Sequence, residues 1–452
     1  MKPQFHLNVA QGPASTTLSE LMGAFSYALD LTEGQPEGHS IRSCYIATQM
    51  ALAMGVDGTE LETVYFSAML KDLGCSSNAA RIAQIYLADD RGFKHDFKLV
   101  GKGLGPTLKF VFSRTGAGHS LPDKTRAIAN ILRNGPEIAR SLIETRCERG
   151  ADIARLLRFS EPVAAAIYNL DEHWDGSGKP QGHIGHAIPL ASRLALLAQI
   201  AEVFFTNAGP AAAMREVARH AGGWLDPELC RVFARLARSP DFWRDLASAE
   251  IAERVFLLQP QSAALDVDED FLDDIASAFG QVIDAKSPYT AGHSERVGGY
   301  FDAVARTVGI AEEERRAMRR AAILHDVGKL GVSSALLEKP GKLDDAEWVT
   351  MRGHAEHTLH ILGRIGPFRE MASIAAAHHE RLDGSGYPFG LDGQMIPLEA
   401  RIITVCDFYD ALTADRPYRS SMPTEKALAI MNAEVGKAVD AQCFEALKAS
   451  LH

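Results

Sequence analysis

Apolar residues recur along this chain at steps of three and four. In "HSERVGGYFDAVARTVG", Val297, Phe301, Val304 and Val308 fall on one helical face, and His293, one turn before Val297, is expected to point inward with them. The preceding segment, "FLDDIASAFGQVIDA", repeats the signal through Leu272, Ile275, Ala276, Phe279 and Ile283, and acidic residues crowd its start, where they suit the positive end of a helix. Alternating β-branched runs are sparse, so the pattern predicts an all-α fold. Periodicity lapses in "LLQPQSAALDVDED", whose proline, glutamine and acids mark residues 258–270 as a linker between domains at 1–257 and 271–452.

The two halves repeat each other. "EGHSIRSCYIATQMALAMGVDGTELETVYFSAMLKDLGC" aligns without a gap on "AGHSERVGGYFDAVARTVGIAEEERRAMRRAAILHDVGK" at an offset of 254 positions. "DEHWDGSGKPQGHIGHAIPLASR" (171–193) aligns on "HERLDGSGYPFGLDGQMIPLEAR" (379–401) at an offset of 208. The change of offset places an insertion in the first copy between about 76 and 145, and its "HDFKLVGKGLGPTLKFVFSRTGAGHS" reads as surface elaboration. The chain is thus expected to be two tandem helical bundles, the first one embellished.

Length agrees, since 452 residues suit two domains of about 200. Hydrophobic content of 46% and charged content of 23% are ordinary for a soluble protein; no apolar run approaches the roughly 18 residues of a membrane span, and the first twenty residues lack a signal-peptide core. Six cysteines without CxxC spacing point to a reducing compartment, with the cytoplasm as the expected location and no membrane partner. A net charge of −11 argues against a nucleic-acid polymer as ligand, yet permits a small anion held by a local basic cluster.

Chemistry concentrates in the second copy. His293, His325, Asp326, His354, His378, His379 and Asp407 give one domain five imidazoles and two carboxylates, the donors of a first-row divalent metal site, where one carboxylate can bridge two ions. A lone histidine on an apolar face is ordinarily a satisfied core group. Here, however, His378 follows Ile374 and Asp407 follows Ile403 by one turn, so both should face the core, where an uncompensated carboxylate is costly. A metal cluster accounts for the whole set.

The motifs "HDVGK", "HHERLDGSGYP", "GLDGQMIPLEARI" and "DFYDALTADRPYR" resemble the HD-GYP family, phosphodiesterases that hydrolyse cyclic di-GMP, over roughly residues 288 to 445. The resemblance implies two HD-type bundles, with His293, His325, Asp326 and Asp407 on one metal and His354, His378 and His379 on a second that Asp326 bridges. It implies Asp326 and Lys329 as catalytic residues, and Lys329, Arg416, Arg419 and Tyr387 as substrate-binding ones. The Gly386-Tyr387-Pro388 loop is linked in the family to partner contacts, which would include diguanylate cyclases or other signalling proteins; a homodimer is left open. Iron or manganese fits the donor set best, zinc or nickel also. Some members hold a third ion through a glutamate one turn before the first histidine. Here that position is Tyr289, a poor ligand for iron or manganese, so two ions per chain are expected. The chemistry agrees, because phosphodiester hydrolysis needs a strong nucleophile and neutralisation of phosphoryl charge.

In the first copy His39, Arg42, Asp72, Gly74 and "DGSG" with Pro180 survive, but Lys71, Arg146, Leu170, Asp171 and Gln199 stand where the second copy has His325, His354, His378, His379 and Asp407. Residues 1–257 therefore read as a degenerate, noncatalytic HD-GYP-like domain, in which Lys71 and Arg146 are expected to pair with Asp72 and Asp171. His173, His183 and His186 fall off the ligand positions. The function expected is metal-dependent hydrolysis of cyclic di-GMP. The alternatives are a cyclic-dinucleotide receptor with little turnover, or an HD phosphohydrolase acting on another nucleotide; no residue could be assigned to recognition of the base.

Overall fold

The computed structural model describes residues 17–100, 104–260, 267–415 and 420–451. Among them are helices and short 3-10 turns but no strand, only two isolated bridges, Ala221 with Leu225 and Val435 with Val439. The fold is all-α, as the periodicity predicts. The chain divides into compact units built on Thr17–Val267 and Asp268–His452.

The C-terminal unit opens with the helix Glu269–Asp284. Asp268 caps it by accepting a hydrogen bond from the Phe271 N–H at 2.7 Å, and Glu269 and Asp270 fill the acidic first turn. Leu272, Ile275, Ala276, Phe279 and Ile283 are all buried, as expected; each large apolar side chain removed from water stabilises by about 1.5–3 kcal/mol. The helix His293–Val308 buries His293, Val297, Phe301 and Val304. Val308 is only half-buried, because the helix ends there at the left-handed Gly309.

The division between the units falls within the stretch 258–270 expected to be the linker, of which 261–266 lie outside the described residues, and the helix Glu269–Asp284 takes up its last two positions. One expectation needs correction, because the segment read as surface elaboration is not all surface: Val111 and Thr115 are buried in it, and the Lys98 side chain is only 12% exposed. The helix Asp90–Lys98, which leads into it, also buries Phe93 and Lys94, and Phe93 stacks on Tyr86 with centroids 4.2 Å apart.

The N-terminal unit places its helices at the offsets read from the sequence. His39–Ala53, Gly58–Met69, Glu161–Tyr168 and Leu190–Ala208 stand where the C-terminal unit has His293–Val308, Glu312–Leu324, Arg369–Ala376 and Leu398–Thr413. The contacts match as well. Asp30 receives the Ser40 hydroxyl as Asp284 receives that of Ser294, and Arg193 pairs with Asp226 as Arg401 does with Asp440.

Candidate metal centre

The seven side chains converge from five places. His293 starts the helix His293–Val308; His325 and Asp326 follow the end of Glu312–Leu324; His354 lies within Asp345–Gly363; and His378, His379 and Asp407 come from the turn Ala377–His379 and the helix Leu398–Thr413. The turn after Asp326 is pressed onto the His354 helix. The Gly328 N–H donates to the Thr358 hydroxyl at 3.0 Å, which donates to the His325 carbonyl at 2.9 Å. A Cβ at Gly328 would lie 1.9 Å from the His354 carbonyl oxygen, so only glycine permits the approach.

Asp326 stands at the centre, and its two oxygens divide the histidines. Oδ2 lies 3.7 Å from His293 Nε2 and 3.2 Å from His325 Nε2, while Asp407 Oδ1 is 3.6 and 3.9 Å from the same two nitrogens. Oδ1 lies 3.6 Å from His354 Nε2 and 3.7 Å from His378 Nε2. Donor atoms of His293, His325 and Asp407 lie within 4.8 Å of one another, and so do those of His354, His378 and His379.

Tautomers are set from behind. Carbonyls of Ala322, Met351 and Ala375 lie 2.7, 2.6 and 2.6 Å from Nδ1 of His325, His354 and His378, so each Nδ1 carries the proton and each Nε2 lone pair faces the cluster. For His293 the acceptor is Asp410, 2.7 Å from Nδ1, itself gripped by Arg296 at 2.6 and 3.0 Å. Burial pushes His354 down to about 4 and His378 to about 3, and it holds His379 well below the usual imidazole range. These three imidazoles are neutral at physiological pH. Burial also works against the imidazolium of His293, but Asp326, Asp410 and Asp407 outweigh it and raise it to about 9. For Asp326 burial favours the acid, yet Lys329 and His325 hold it well below the carboxylate range. His325 Nε2 and Asp326 Oδ1 are buried without a hydrogen-bond partner, as atoms awaiting a ligand would be. The neutral imidazoles of His354, His378 and His379, the carboxylates of Asp326 and Asp407 and these orphaned atoms fit divalent metal.

Lys329 lies 2.5 Å from Asp326 Oδ2, at the edge of the cluster. Tyr387 lies beside His379, with centroids 4.9 Å apart, in a loop that closes around Glu380, whose carboxylate accepts the N–H groups of Phe389, Gly390 and Leu391 at 2.6, 3.2 and 2.8 Å. Arg416 and Arg419 lie outside the described residues. Tyr289 sits in the turn before His293 rather than on its helix, so the shared-face argument for that position does not hold. It lines a cavity of ≈ 460 Å³ together with Tyr300, Tyr409, Asp410 and Asp415. Sequence reasoning missed Asp410, Arg296 and Glu380. The first two stand three residues after Asp407 and His293, a spacing that signals a shared helical face.

At the equivalent place in the N-terminal unit the charges pair with each other. Lys71 contacts Asp72 and Arg146 contacts Asp171, as the sequence leads one to expect. The insertion adds Lys98, 2.8 Å from Glu33 and 3.9 Å from Asp72, and Lys94, 3.3 Å from Glu33. Here too the first histidine has an acid behind it, since Glu202 takes both His39 and Arg42.

A buried histidine–aspartate cluster in a helical bundle, with the Nε2 atoms of His293, His325, His354 and His378 turned inward, defines a metal-dependent phosphohydrolase of the HD type. The chain belongs to the HD domain family, which matches residues 118–229 and 278–443, and within it to the HD-GYP phosphodiesterases. It is 48% identical over 446 residues, 99% of this chain and 96% of the other, to the 3'3'-cGAMP-specific phosphodiesterase 3 of Vibrio cholerae. A crystal structure of a cyclic GMP-AMP specific phosphodiesterase of V. cholerae (V-cGAP3) superposes with a TM-score of 0.66 at 45% identity, covering 96% of this chain and 97% of that one. The cyclic di-GMP phosphodiesterase response regulator RpfG of Xanthomonas campestris is 37% identical over 203 residues, 44% of this chain and 54% of that protein. No described helix is long and apolar enough to cross a membrane.

Proposed function

We propose that the C-terminal unit hydrolyses a phosphodiester of 3'3'-cGAMP at a dinuclear metal centre, and that the N-terminal unit is noncatalytic. The observation that carries the reading is the division of donors about Asp326: His293, His325 and Asp407 on the side of Oδ2, His354 and His378 on that of Oδ1. His293, His325, Asp326 and Asp407 would hold one ion, and Asp326, His354, His378 and His379 the other. The chemistry that such a pair supplies when bound is activation of a water nucleophile and neutralisation of charge on the phosphoryl oxygens.

The chain's own groups prepare that chemistry. Backbone carbonyls and Asp410 keep the Nδ1 protons of the histidines fixed, so no imidazole must turn during turnover. Lys329 keeps a cation beside Asp326, where negative charge develops on the substrate. Arg416 and Arg419 would add donors to phosphate.

The similarity to the 3'3'-cGAMP-specific enzyme runs through both units, whereas that to RpfG runs through less than half of this chain. This favours 3'3'-cGAMP over the cyclic di-GMP expected from the motifs alone. In the N-terminal unit Lys71 and Arg146 stand at the positions of His325 and His354, and their charges meet Asp72 and Asp171 where metal would otherwise be needed. The test is turnover of the purified chain, loaded with Fe²⁺ or Mn²⁺, on 3'3'-cGAMP, cyclic di-GMP and cyclic di-AMP, with the products separated. Linear dinucleotide formed fastest from 3'3'-cGAMP is expected; a metal-loaded protein inert on all three would overturn the reading.

A further inference from the structure

Arg352 precedes His354 by two residues, and its guanidinium carbon lies 5.7 Å from the centre of the Trp348 ring and 5.3 Å from that of Tyr387. Tyr387 in turn lies 4.9 Å from the His379 ring and 6.3 Å from that of His354. The guanidinium is therefore one ring away from two of the cluster's histidines. Both rings are within cation–π range.

The neighbouring cations are already engaged. Lys329 is paired with Asp326, and Arg296 with Asp410 through two contacts. Arg352 has no carboxylate partner among the described residues, and its side chain is exposed. Contact with ring faces orients a guanidinium but leaves the N–H groups along its edge free, an arrangement suited to a phosphate.

The first copy supplies a comparison within the same chain. At the offset of 208 the trio Trp348, Arg352 and Tyr387 becomes Arg140, Glu144 and Lys179, and Glu144 accepts from Arg140 at 2.8 Å. The half that lost the histidines has lost the stacked arginine with them.

A cyclic dinucleotide carries two phosphodiesters. While one reacts at the cluster, the other remains an anion beside it that needs a partner. We infer that Arg352, held between Trp348 and Tyr387, binds this second, non-reacting phosphate of the substrate. The inference rests on the function proposed above.

The test is the steady-state kinetics of Arg352→Ala and Arg352→Lys beside wild type on 3'3'-cGAMP, with metal content measured on each protein. A charge-assisted contact made equally before and in the transition state appears in KM rather than kcat. Arg352→Ala should raise KM by about tenfold or more, leave kcat within about threefold and keep the metal content unchanged. Arg352→Lys, which retains charge but not the planar fork, should recover part of the loss. An unchanged KM would overturn the inference, as would a loss of bound metal in step with activity, since Arg352 would then act on the cluster. A wild-type chain that turns over no cyclic dinucleotide would instead remove the function on which it rests.

Discussion

Lys98→Met tests whether the insertion completes the buried charge cluster of the N-terminal unit. The ammonium lies 2.8 Å from Glu33 and 3.9 Å from Asp72, with its side chain only 12% exposed and that of Glu33 only 3%. Burial alone would raise the pKa of Glu33, but Lys98 first and Lys94 second hold it well below the carboxylate range. Removing one partner of a buried pair destabilises by about 3–5 kcal/mol. Lys94 remains 3.3 Å from the other oxygen of Glu33, which places the expected loss near the low end, at about 3 kcal/mol. The assay is urea unfolding of the intact chain followed by fluorescence, since Trp174, Trp224 and Trp243 lie in this unit and only Trp348 in the other. Glu33 has a depressed pKa when folded, so its contribution is complete above the ordinary glutamate range and fades as pH falls through the folded value. The effect of Lys98→Met should be full at neutral pH and shrink in acid. A loss below about 0.5 kcal/mol at neutral pH, that of an ordinary surface substitution, would refute the reasoning and return the insertion to the surface.

His325→Ala or Asp326→Ala should abolish turnover and lower metal content while circular dichroism stays helical; wild-type activity in Asp326→Ala would contradict the bridging role. Asp410→Asn should weaken metal binding by roughly 10- to 100-fold in a titration, because it loosens the support behind His293 and leaves Arg296 without its carboxylate; unchanged affinity would mean that packing alone orients the imidazole. Replacing His354, His378 and His379 together by alanine should leave no ion bound with wild-type affinity on the Oδ1 side of Asp326, and elemental analysis should find no compensating ion in the N-terminal unit.

What was legible in the sequence is what recurs locally. Val297, Phe301 and Val304 declare a buried helix face through their spacing, and the two ungapped offsets are enough to align the helices of both halves. The seven histidines and carboxylates stood out because polar groups on apolar faces require partners, and the structure brings them together. Lys98 was misread because it sits among glycines and other charges, the usual mark of a solvated segment; its burial depends on Glu33 and Asp72, which the chain supplies from distant positions. Arg352 was passed over for the same reason. Its partners are rings four residues before it and far along the chain, and no periodicity connects a cation to an aromatic face. Val308 shows the limit of the helical pattern itself, since spacing marks a face but not the residue at which Gly309 ends it.

The most direct measurement is reconstitution of the chelated, metal-free chain with Mn²⁺ or Fe²⁺ while 3'3'-cGAMP hydrolysis is followed against equivalents of metal added. Activity should be absent at the start, rise with added metal and reach its plateau at two ions per chain, all of it lost in Asp326→Ala. Turnover by the metal-free protein, or a plateau reached only when a second pair of ions fills the N-terminal unit, would contradict a single dinuclear centre built around Asp326.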